Sequence, residues 1–357
     1  MTDRLRVLLV GYGLAGRVFH ARLIDAEPGL EVTAIVTADP ERVAQARADV
    51  PGARIIATFE EALRTPDDYD LVVVATANSA HVPQATAALQ AGLPVVVDKP
   101  LAGTAEQAQA LIDLAAAQGR QLHVFQNRRW DSEILTARRL IDEGTLGRVH
   151  RLESRFERWR PQPKGGWRET GTADDLPGLL YDLGAHLVDQ ALHLLGPVEA
   201  VVASVRAVRD GMQTDDDTQV FLWHTSGAVS ILSVSAVAGS IEPRLRVLGT
   251  QGALEVTGLD TQEDALRAGA SLLDGQWGVD TGAAHLVTAD DPQRRPVDRA
   301  RGAWPEYYRA VARSLRGQGT PPVDPRDVVA NLRVIEAAAQ SARDRVVVRL
   351  EPPAGHV

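Results

Sequence analysis

The amino-acid sequence contains no cysteine among its 357 residues. This absence excludes a disulfide scaffold, a thiolate metal site and a cysteine nucleophile. No apolar run approaches the roughly 18 residues of a membrane-spanning helix, and the N-terminus lacks the small-residue cleavage site of a signal peptide. We therefore expect a cytoplasmic protein with no membrane partner.

The chain also lacks an excess of positive charge, since its net charge is −9, and no basic cluster is long enough to indicate a nucleic-acid tract. We expect no nucleic-acid partner. Of the 38 basic residues two are lysines, Lys99 and Lys164. Genomic base composition explains such a bias, since arginine can replace lysine at most surface positions. A lysine that persists suggests chemistry that needs an amine, whose pKa its surroundings can tune, rather than a guanidinium.

What the chain does have is a globular composition, with 45% hydrophobic and 24% charged residues. Residues 1–125 alternate short β-branched runs with alanine-rich amphipathic stretches, a pattern typical of a doubly wound parallel sheet. Longer strands dominate after about residue 147. We predict an α/β Rossmann domain at 1–125 and, at 126–357, an α+β domain with a mostly antiparallel, open-faced sheet.

The predicted elements follow from these patterns. In the first domain they are strands at 5–10, 32–36, 54–57, 71–75, 95–98 and 122–125, and helices at 15–26, 40–48, 59–64, 82–91 and 105–118. In the second they are strands at 149–158, 200–208, 217–224, 228–236, 244–249 and 253–256, and helices at 132–143, 179–195, 304–316 and 325–343. We expect the last two helices to pack on the first domain or at the domain interface. The triplet Asp215-Asp216-Asp217 predicts a solvated turn.

A glycine motif, G-x-G-x-x-G, lies between the first predicted strand and helical sequence. Gly11 permits the tight turn, Gly13 lets the backbone approach a pyrophosphate, and Gly16 allows close packing of the helix on the strand. The free N–H groups of the helix N-terminus would then face the phosphates. This placement favours a cofactor site over a glycine-rich turn without a ligand. The predicted cofactor-binding residues here are Gly11, Tyr12, Gly13, Leu14, Ala15 and Gly16.

The end of the second predicted strand indicates which cofactor binds. An acidic residue there would bind the ribose 2′-hydroxyl of NAD, whereas a neutral residue with a nearby arginine suits the 2′-phosphate of NADP. Thr37 is neutral and Arg42 is close, which favours NADP over NAD. Asp39 has two interpretations, because it could cap the helix that starts at Pro40 or bind the ribose.

Lys99 comes directly after the apolar strand 95–97 and is followed by Pro100. In open α/β sheets ligands bind at the carboxyl ends of the strands, where this lysine lies. A surface ammonium is the alternative interpretation. The scarcity of lysine in this chain favours a functional role.

Asp182 and His186 are four residues apart on a predicted helix and so share one face. A carboxylate one turn from an imidazole can orient it and support its protonated form, as a general acid or base requires. Two alternatives remain open at this point. The pair could be an ordinary surface pair, or Asp182, His186, Asp189 and His193 could bind a metal.

Through three motifs and their order, the chain resembles the glucose–fructose oxidoreductase/inositol dehydrogenase/rhizopine catabolism (Gfo/Idh/MocA) family of NAD(P)-dependent oxidoreductases. The resemblance covers essentially the whole chain. The motifs are the glycine turn, Asp98-Lys99-Pro100 and Asp182-x-x-x-His186. Supporting segments are Thr76-Ala77-Asn78-Ser79-Ala80-His81 and Asn127-Arg128-Arg129-Trp130-Asp131. Two further segments, Gly166-Trp167-Arg168-Glu169 and Trp304-Pro305-Glu306-Tyr307-Tyr308, most resemble the subgroup with NADP-dependent scyllo-inositol dehydrogenases. Ala77 replaces the family's usual proline, and Asp98 replaces its commoner glutamate.

The resemblance implies roles for individual residues. Lys99, Asp182 and His186 would be catalytic and would contact the substrate together with Arg168. The cofactor would be lined by Thr76, Asn78, His81, Asp98, Lys99 and Asn127, and its nicotinamide end by Trp167 and Arg168. Read without the resemblance, Trp167 and Arg168 could belong to a loop stacked on the sheet, and 127–131 could cap the following helix.

The implied reaction is hydride transfer between a nicotinamide and a secondary alcohol carbon of a polyol or sugar, with no metal. The first choice is scyllo-inositol 2-dehydrogenase with NADP. An aldose 1-dehydrogenase, a keto-sugar reductase and a non-catalytic dinucleotide sensor are the alternatives, and a metal-dependent hydrolase ranks below them. The resemblance also implies homodimers or homotetramers that assemble through the open sheet of the second domain.

Overall fold

A computed structural model describes residues 4–163, 165–171, 176–240 and 242–351, without the side chains of Trp167 and Arg168. Lys164 lies outside the described residues. The chain forms two compact units. The first comprises Met1–Asn127, Gln262–Trp277 and Ala303–Val329, and the second comprises Arg128–Thr261, Gly278–Gly302 and Ala330–Val357. Each unit therefore combines segments that are far apart in the sequence.

The secondary-structure elements are numbered in chain order. The strands are β1 (Leu5–Val10), β2 (Leu30–Val36), β3 (Arg54–Ile56), β4 (Leu71–Val74), β5 (Val95–Asp98), β6 (Leu122–Phe125), β7 (Val149–Glu157), β8 (Val198–Arg206), β9 (Asp217–His224), β10 (Val229–Ser235), β11 (Leu245–Gly249), β12 (Gly252–Val256), β13 (Ala284–Thr288), β14 (Arg295–Pro296) and β15 (Val348–Arg349). The helices are α1 (π-helical Ala15–Ala21, then α-helical Arg22–Asp25), α2 (Pro40–Asp49), α3 (Phe59–Ala62), α4 (Asn78–Gln90), α5 (Ala105–Ala117), α6 (Ser132–Asp142), α7 (Trp167–Thr170), α8 (π-helical Leu180–Gly184, then α-helical Ala185–Leu195), α9 (Gln262–Arg267), α10 (Pro305–Leu315) and α11 (Pro325–Asp344).

The first unit is built on a parallel sheet whose strand order is β3-β2-β1-β4-β5-β6. This is the order of a dinucleotide-binding Rossmann fold, and it confirms the predicted fold class. The central strands β1, β4 and β5 are almost entirely buried, because helices cover a parallel sheet on both faces. β1 and β4 are neighbours, so the glycine turn after β1 lies beside the end of β4.

The second unit contains a larger sheet with the order β14-β13-β12-β11-β7-β10-β9-β8-β15 among the described residues. Its neighbouring strands are antiparallel except for β7 and β10, which are parallel. The sheet is therefore mostly antiparallel, as predicted. Leu152 of β7 and Leu232 of β10 face a core that also contains Leu187 of α8. The strands β13, β14 and β15 are too short or too polar to stand out in the sequence.

The C-terminal helices divide between the units. α10 belongs to the first unit, where its Tyr307 and Tyr308 rings contact Phe125 of β6. Most of α11 belongs to the second unit, and Ser341 of this helix accepts a hydrogen bond from the Ala203 N–H of β8. In the part of the chain that the structure describes, every helix is too short or too polar to cross a bilayer.

The prediction of a solvated turn at Asp215-Asp216-Asp217 is wrong. The Asp216 side chain is fully buried and accepts hydrogen bonds from the Val208 N–H at 2.7 Å and from Arg209 Nε at 2.8 Å. Asp215 Oδ2 accepts from the Leu180 N–H at 2.8 Å, at the start of α8. The donors that these carboxylates satisfy lie between 7 and 35 positions away in the chain, and an acidic run in the sequence does not reveal them.

Candidate active site

The glycine turn has the geometry that a dinucleotide needs. Gly11 has a φ of +93°, and a side chain there would place its Cβ 2.5 Å from the Ala75 carbonyl oxygen. A Cβ on Gly16 would lie 2.1 Å from the Gly11 carbonyl oxygen, so both glycines are required by the protein itself. A Cβ on Gly13 would meet only Arg42, with Cζ at 4.0 Å. The space beside Gly13 is therefore open, as a pyrophosphate requires.

A cavity of about 310 Å³ lies next to this turn in the first unit. It brings together six of the residues predicted from the sequence, Gly11, Tyr12, Thr37, Asp39, Arg42 and Thr76. Arg42 is exposed at this cavity, whereas Thr37 is buried at the end of β2. The cavity therefore presents the guanidinium of Arg42 and the hydroxyl of Thr37 where β2 ends, and the carboxylates of Asp39 and Glu60 also line it.

Asp39 caps α2, which is one of its two predicted roles. Its Oδ1 accepts a hydrogen bond from the Arg42 N–H at 2.9 Å, and Pro40 occupies the first helical position. Tyr12 is buried, and its hydroxyl donates to Asp49 of the same helix at 3.2 Å. Burial and the nearby Asp49 charge raise the pKa of this phenol, so it stays neutral.

The residues that follow β4 have different surroundings. Thr76 donates a hydrogen bond to Gln84 Oε1 at 2.7 Å, and both side chains line the cavity. Asn78 is half-buried at the first position of α4. His81 is buried, with Nδ1 2.7 Å from the Pro100 carbonyl oxygen and Nε2 3.2 Å from the Thr76 carbonyl oxygen. Both of its ring nitrogens thus face the main chain of the strand ends rather than open space.

Lys99 lies at the carboxyl end of β5 and is half-buried, and its peptide bond to Pro100 is cis. Its N–H donates to Oδ1 of the preceding Asp98 at 2.7 Å. The other oxygen, Asp98 Oδ2, lies 3.6 Å from Nε2 of the buried His20 in α1. Burial acts to raise the pKa of Asp98, but the interactions with His20, His81 and Lys99 outweigh it and lower this pKa.

Asp182 and His186 lie on adjacent turns of α8 in the second unit. Asp182 is half-buried in the π-helical part, and His186 is 5% exposed in the first turn of the α-helical part. The predicted helix is thus interrupted by a wider turn between these residues, and such π-helical turns occur frequently at functional sites. The apolar stripe of α8 faces the core, with Leu187 and Ala191 fully buried.

The alternative in which Asp189 binds a metal conflicts with the contacts of this residue. Both of its carboxylate oxygens accept hydrogen bonds from Arg129, Oδ2 from Nε at 2.9 Å and Oδ1 from Nη2 at 2.7 Å. His193 is the fourth residue of the possible metal site formed by Asp182, His186, Asp189 and His193. Burial, followed by the charges of Arg129 and Arg138, lowers the pKa of His193 to about 4, so this ring is neutral at pH 7.

Among the described residues, one group of carboxylates is close enough to share a metal ion, and it consists of Glu133, Asp260 and Asp280. Arg299 forms ion pairs with two members of this group, at 3.3 Å from Glu133 and 2.9 Å from Asp280, and Arg244 lies 3.1 Å from Glu133. Asp260 accepts a hydrogen bond from the Ser132 N–H at 2.8 Å. The cluster is therefore a buried ion-pair network, and it contains none of the predicted site residues.

The remaining predicted site residues lie on short helical turns or beside the glycine turn. Asn127 is buried at the start of a short 3₁₀ turn, Asn127–Trp130, which leads into α6. Trp167 and Arg168 begin the short helix α7, and their side chains lie outside the described residues. Leu14 is exposed beside the glycine turn. The predicted roles of these residues stay predictions.

Sequence reasoning missed several residues that contact the predicted ones, namely His20, Gln84, Arg129 and Tyr308. His20 gave a faint signal, because apolar residues flank it directly in Val18-Phe19-His20-Ala21. Arg129 and Tyr308 belong to segments that support the family resemblance, but the sequence does not show their contacts or those of Gln84, because the partners are between 8 and 288 positions away.

Comparison with known proteins supports an assignment of the whole chain. A family model described as "Oxidoreductase family, NAD-binding Rossmann fold" matches residues 5–126. A second, described as "Oxidoreductase family, C-terminal alpha/beta domain", matches residues 138–350. The chain belongs to the Gfo/Idh/MocA oxidoreductase family. It is therefore an oxidoreductase with an NAD-binding Rossmann domain.

Other members of the Gfo/Idh/MocA family resemble the chain over nearly its full length. The uncharacterised oxidoreductase YdgJ of Escherichia coli (strain K12) is 38% identical over 98% of this chain and 100% of its own. The NADP-dependent scyllo-inositol 2-dehydrogenase IolW of Bacillus subtilis (strain 168) is 35% identical over 98% of this chain and 97% of its own. A solved structure from Yersinia pestis, described as an oxidoreductase, covers 99% of both chains at 36% identity with a TM-score of 0.92.

Proposed function

We propose that the chain is a dehydrogenase of inositols, and specifically an NADP-dependent scyllo-inositol 2-dehydrogenase. The observation that carries this proposal is the full-length similarity to IolW. The presence of Lys99, Asp182 and His186, the catalytic set that the family resemblance implies, supports it. A non-catalytic dinucleotide sensor would not need these three side chains.

The cavity beside the glycine turn supports NADP rather than NAD. A 2′-phosphate needs a cation, and Arg42 supplies one at the cavity where β2 ends. Thr37 adds a hydroxyl and no negative charge, and the Asp39 carboxylate caps α2. The open space beside Gly13 fits the pyrophosphate of either cofactor. We therefore assign Arg42 and Thr37 to the 2′-phosphate and residues 11–16 to the pyrophosphate.

The proposed chemistry divides between cofactor and protein. The nicotinamide, when bound, accepts the hydride from a secondary alcohol carbon or returns it to a ketone. His186 takes the hydroxyl proton as a general base, or supplies it as a general acid in the reverse direction, and Asp182 orients its ring. Lys99 donates a hydrogen bond to the reacting oxygen and stabilises its alkoxide character.

The open face of the large sheet is the proposed surface for assembly into homodimers or homotetramers. Leu222 of β9 and Leu232 of β10 face the core, so the alternate residues point to the other side. There the rings of Phe221 and Trp223 make an edge-to-face contact with centroids 4.6 Å apart, and Ile231 pairs with Phe221 across the strands. These side chains are half-buried in the single chain. A second copy would cover this apolar face.

The direct test is a substrate screen. Purified protein is offered scyllo-inositol, myo-inositol and several aldoses, each with NADP and with NAD, while the absorbance of the reduced cofactor is followed. We expect reduction of NADP with scyllo-inositol. Reduction with NAD alone would overturn the cofactor proposal, and turnover of aldoses in place of inositols would overturn the substrate proposal.

Variants test the catalytic assignment. Lys99→Ala and His186→Ala should each lower kcat by about a hundredfold or more, while cofactor affinity is largely retained. Arg47→Ala is the control, because Arg47 is an exposed cation on α2 that does not line the cavity. Normal turnover of Lys99→Ala or His186→Ala would contradict the assignment.

A further inference from the structure

A buried polar chain lies behind Lys99 in the first unit. His20 of α1 is fully buried between Phe125 of β6, whose ring centroid is 4.3 Å away, and Tyr308 of α10. Its Nδ1 lies 2.6 Å from the Tyr308 hydroxyl, and its Nε2 lies 3.6 Å from Asp98 Oδ2. Asp98 Oδ1 accepts the Lys99 N–H at 2.7 Å. One carboxylate thus connects His20 to the main chain of Lys99.

The Tyr308 hydroxyl and the Asp98 carboxylate lie at opposite nitrogens of the His20 ring. Burial raises the pKa of Tyr308 well above its ordinary value, so this residue remains a phenol. A phenol O–H can donate to Nδ1 of a neutral imidazole, which leaves the ring hydrogen on Nε2. A protonated imidazole also carries a hydrogen on Nε2. In both forms the nitrogen that carries a hydrogen is the one near Asp98, at 3.6 Å from Oδ2, which is longer than a hydrogen bond and within ion-pair distance.

Asp98 needs such a partner because its side chain is only 17% exposed. A carboxylate in this environment is costly unless hydrogen bonds or opposite charges compensate it. The interactions with His20 are the largest that oppose the effect of burial on the pKa of Asp98, and those with His81 and Lys99 follow. His81 contacts the main chain at Pro100, on the other side of Lys99.

We propose that His20 is a positioning residue for Lys99. Its Nε2–H keeps Asp98 in the orientation in which Oδ1 accepts the Lys99 N–H, and this contact sets the direction in which the lysine side chain leaves β5. The proposal rests on the proposed catalytic role of Lys99. It adds a residue on a different element, next to the glycine turn, to the machinery of the reaction.

A merely structural role for His20 predicts something different. If the ring only filled space between Phe125 and α10, variants of similar size would affect stability and leave the reactivity of Lys99 unchanged. Two amides separate these possibilities. The amide nitrogen of His20→Asn takes the place of Nδ1 beside Tyr308, whereas that of His20→Gln takes the place of Nε2 and faces Asp98.

The experiment compares His20→Asn and His20→Gln with the wild type and with Tyr308→Phe, which removes the hydroxyl on the other side of the ring. For each protein we would measure kcat and KM for the inositol, the Kd for NADPH and the thermal midpoint. Competitive acetylation would give the ratio of labelling at Lys99 to that at Lys164. Because the chain has two lysines, Lys164 is an internal reference within the same molecule.

We expect His20→Asn to lower kcat by about tenfold or more with little change in KM, because small displacements of a catalytic group are costly. The labelling ratio should change by about threefold or more in the same variant. His20→Gln should restore both quantities to within about threefold of the wild type, and Tyr308→Phe should resemble His20→Gln.

The proposal would be overturned if His20→Asn and His20→Gln lost kcat equally. It would also be overturned if His20→Asn still bound NADPH and its labelling ratio were unchanged. The labelling ratio requires no substrate. A wild type without inositol turnover would therefore count against the proposed function, while the labelling result would still decide the role of His20.

Discussion

Arg129 and Asp189 form a two-fold hydrogen-bonded ion pair in the second unit, with side chains 6% and 3% exposed. Removal of one partner leaves the other charge buried without compensation. Arg129→Met should therefore lower the free energy of unfolding by about 3–5 kcal/mol. The double variant Arg129→Met/Asp189→Leu should recover most of this loss, because it removes both charges. Denaturant unfolding measures both, and a single variant as stable as the wild type would contradict the prediction.

The two glycines at positions 13 and 16 should respond differently to alanine. Gly13→Ala adds a methyl group to open space and should change the free energy of unfolding by less than about 1 kcal/mol, yet raise the KM for NADP. Gly16→Ala places its Cβ 2.1 Å from the Gly11 carbonyl oxygen, and should cost about 2 kcal/mol or more. Thermal unfolding and cofactor titration distinguish the two effects, and equal stability losses would contradict the assignment of Gly13.

Arg42 should determine the preference between the cofactors. Loss of a charged hydrogen bond to the 2′-phosphate should raise the KM for NADP by about tenfold to a hundredfold in Arg42→Ala, while the KM for NAD changes little. Arg47 is exposed on the same helix and does not line the cavity, so Arg47→Ala is the matched control. An equal change in both KM values would show that Arg42 does not contact the 2′-phosphate.

His123 should make the protein sensitive to acid. Burial in β6 lowers the pKa of His123 to about 4 from an ordinary value of 6.5. Between these values the unfolded chain binds a proton that the folded chain does not, so stability is lost as the pH falls from about 6.5 to about 4, by about 3 kcal/mol in total. His123→Leu should flatten this decline in urea unfolding series. An unchanged slope would contradict the prediction.

The proposal that the protein assembles through the open face of the large sheet can be tested by measuring its oligomeric state. A carboxylate in the middle of an apolar interface is costly, so Ile231→Asp should produce monomers in light-scattering measurements. Leu273, 84% exposed in the first unit, is a matched position away from the sheet, and Leu273→Asp should leave the assembly unchanged. If Ile231→Asp and the wild type had the same mass, the proposed face would be wrong.

The sequence was sufficient for the local features of this protein. The strands of the first unit were predicted well because their residues form short, continuous apolar runs, and the glycine turn because its spacing reflects a backbone requirement at Gly11 and Gly16. The position of Lys99 after β5 followed in the same way, since β5 is a buried strand that ends at Asp98. Each of these inferences depends on neighbours in the chain.

The contacts that surround these features could not be predicted. Asp216 was expected in solvent, yet it is buried against Arg209, and α8 begins with a π-helical turn that shifts Asp182 relative to His186. His20 and Tyr308 meet although 288 positions separate them. A residue's charge and polarity are visible in the sequence, but the donors and acceptors that satisfy it once buried are not.

The sequence by itself thus determined the alternation of strands and helices in the first unit, the glycine turn and the presence of a strand-end lysine, because all three are encoded by short-range patterns of size and polarity. Only the tertiary structure decided that Asp39 caps α2, that Asp189 is paired with Arg129, and that His20 lies behind Asp98. A buried polar group must find its partner wherever the fold brings one, and that partner need not be close in the chain.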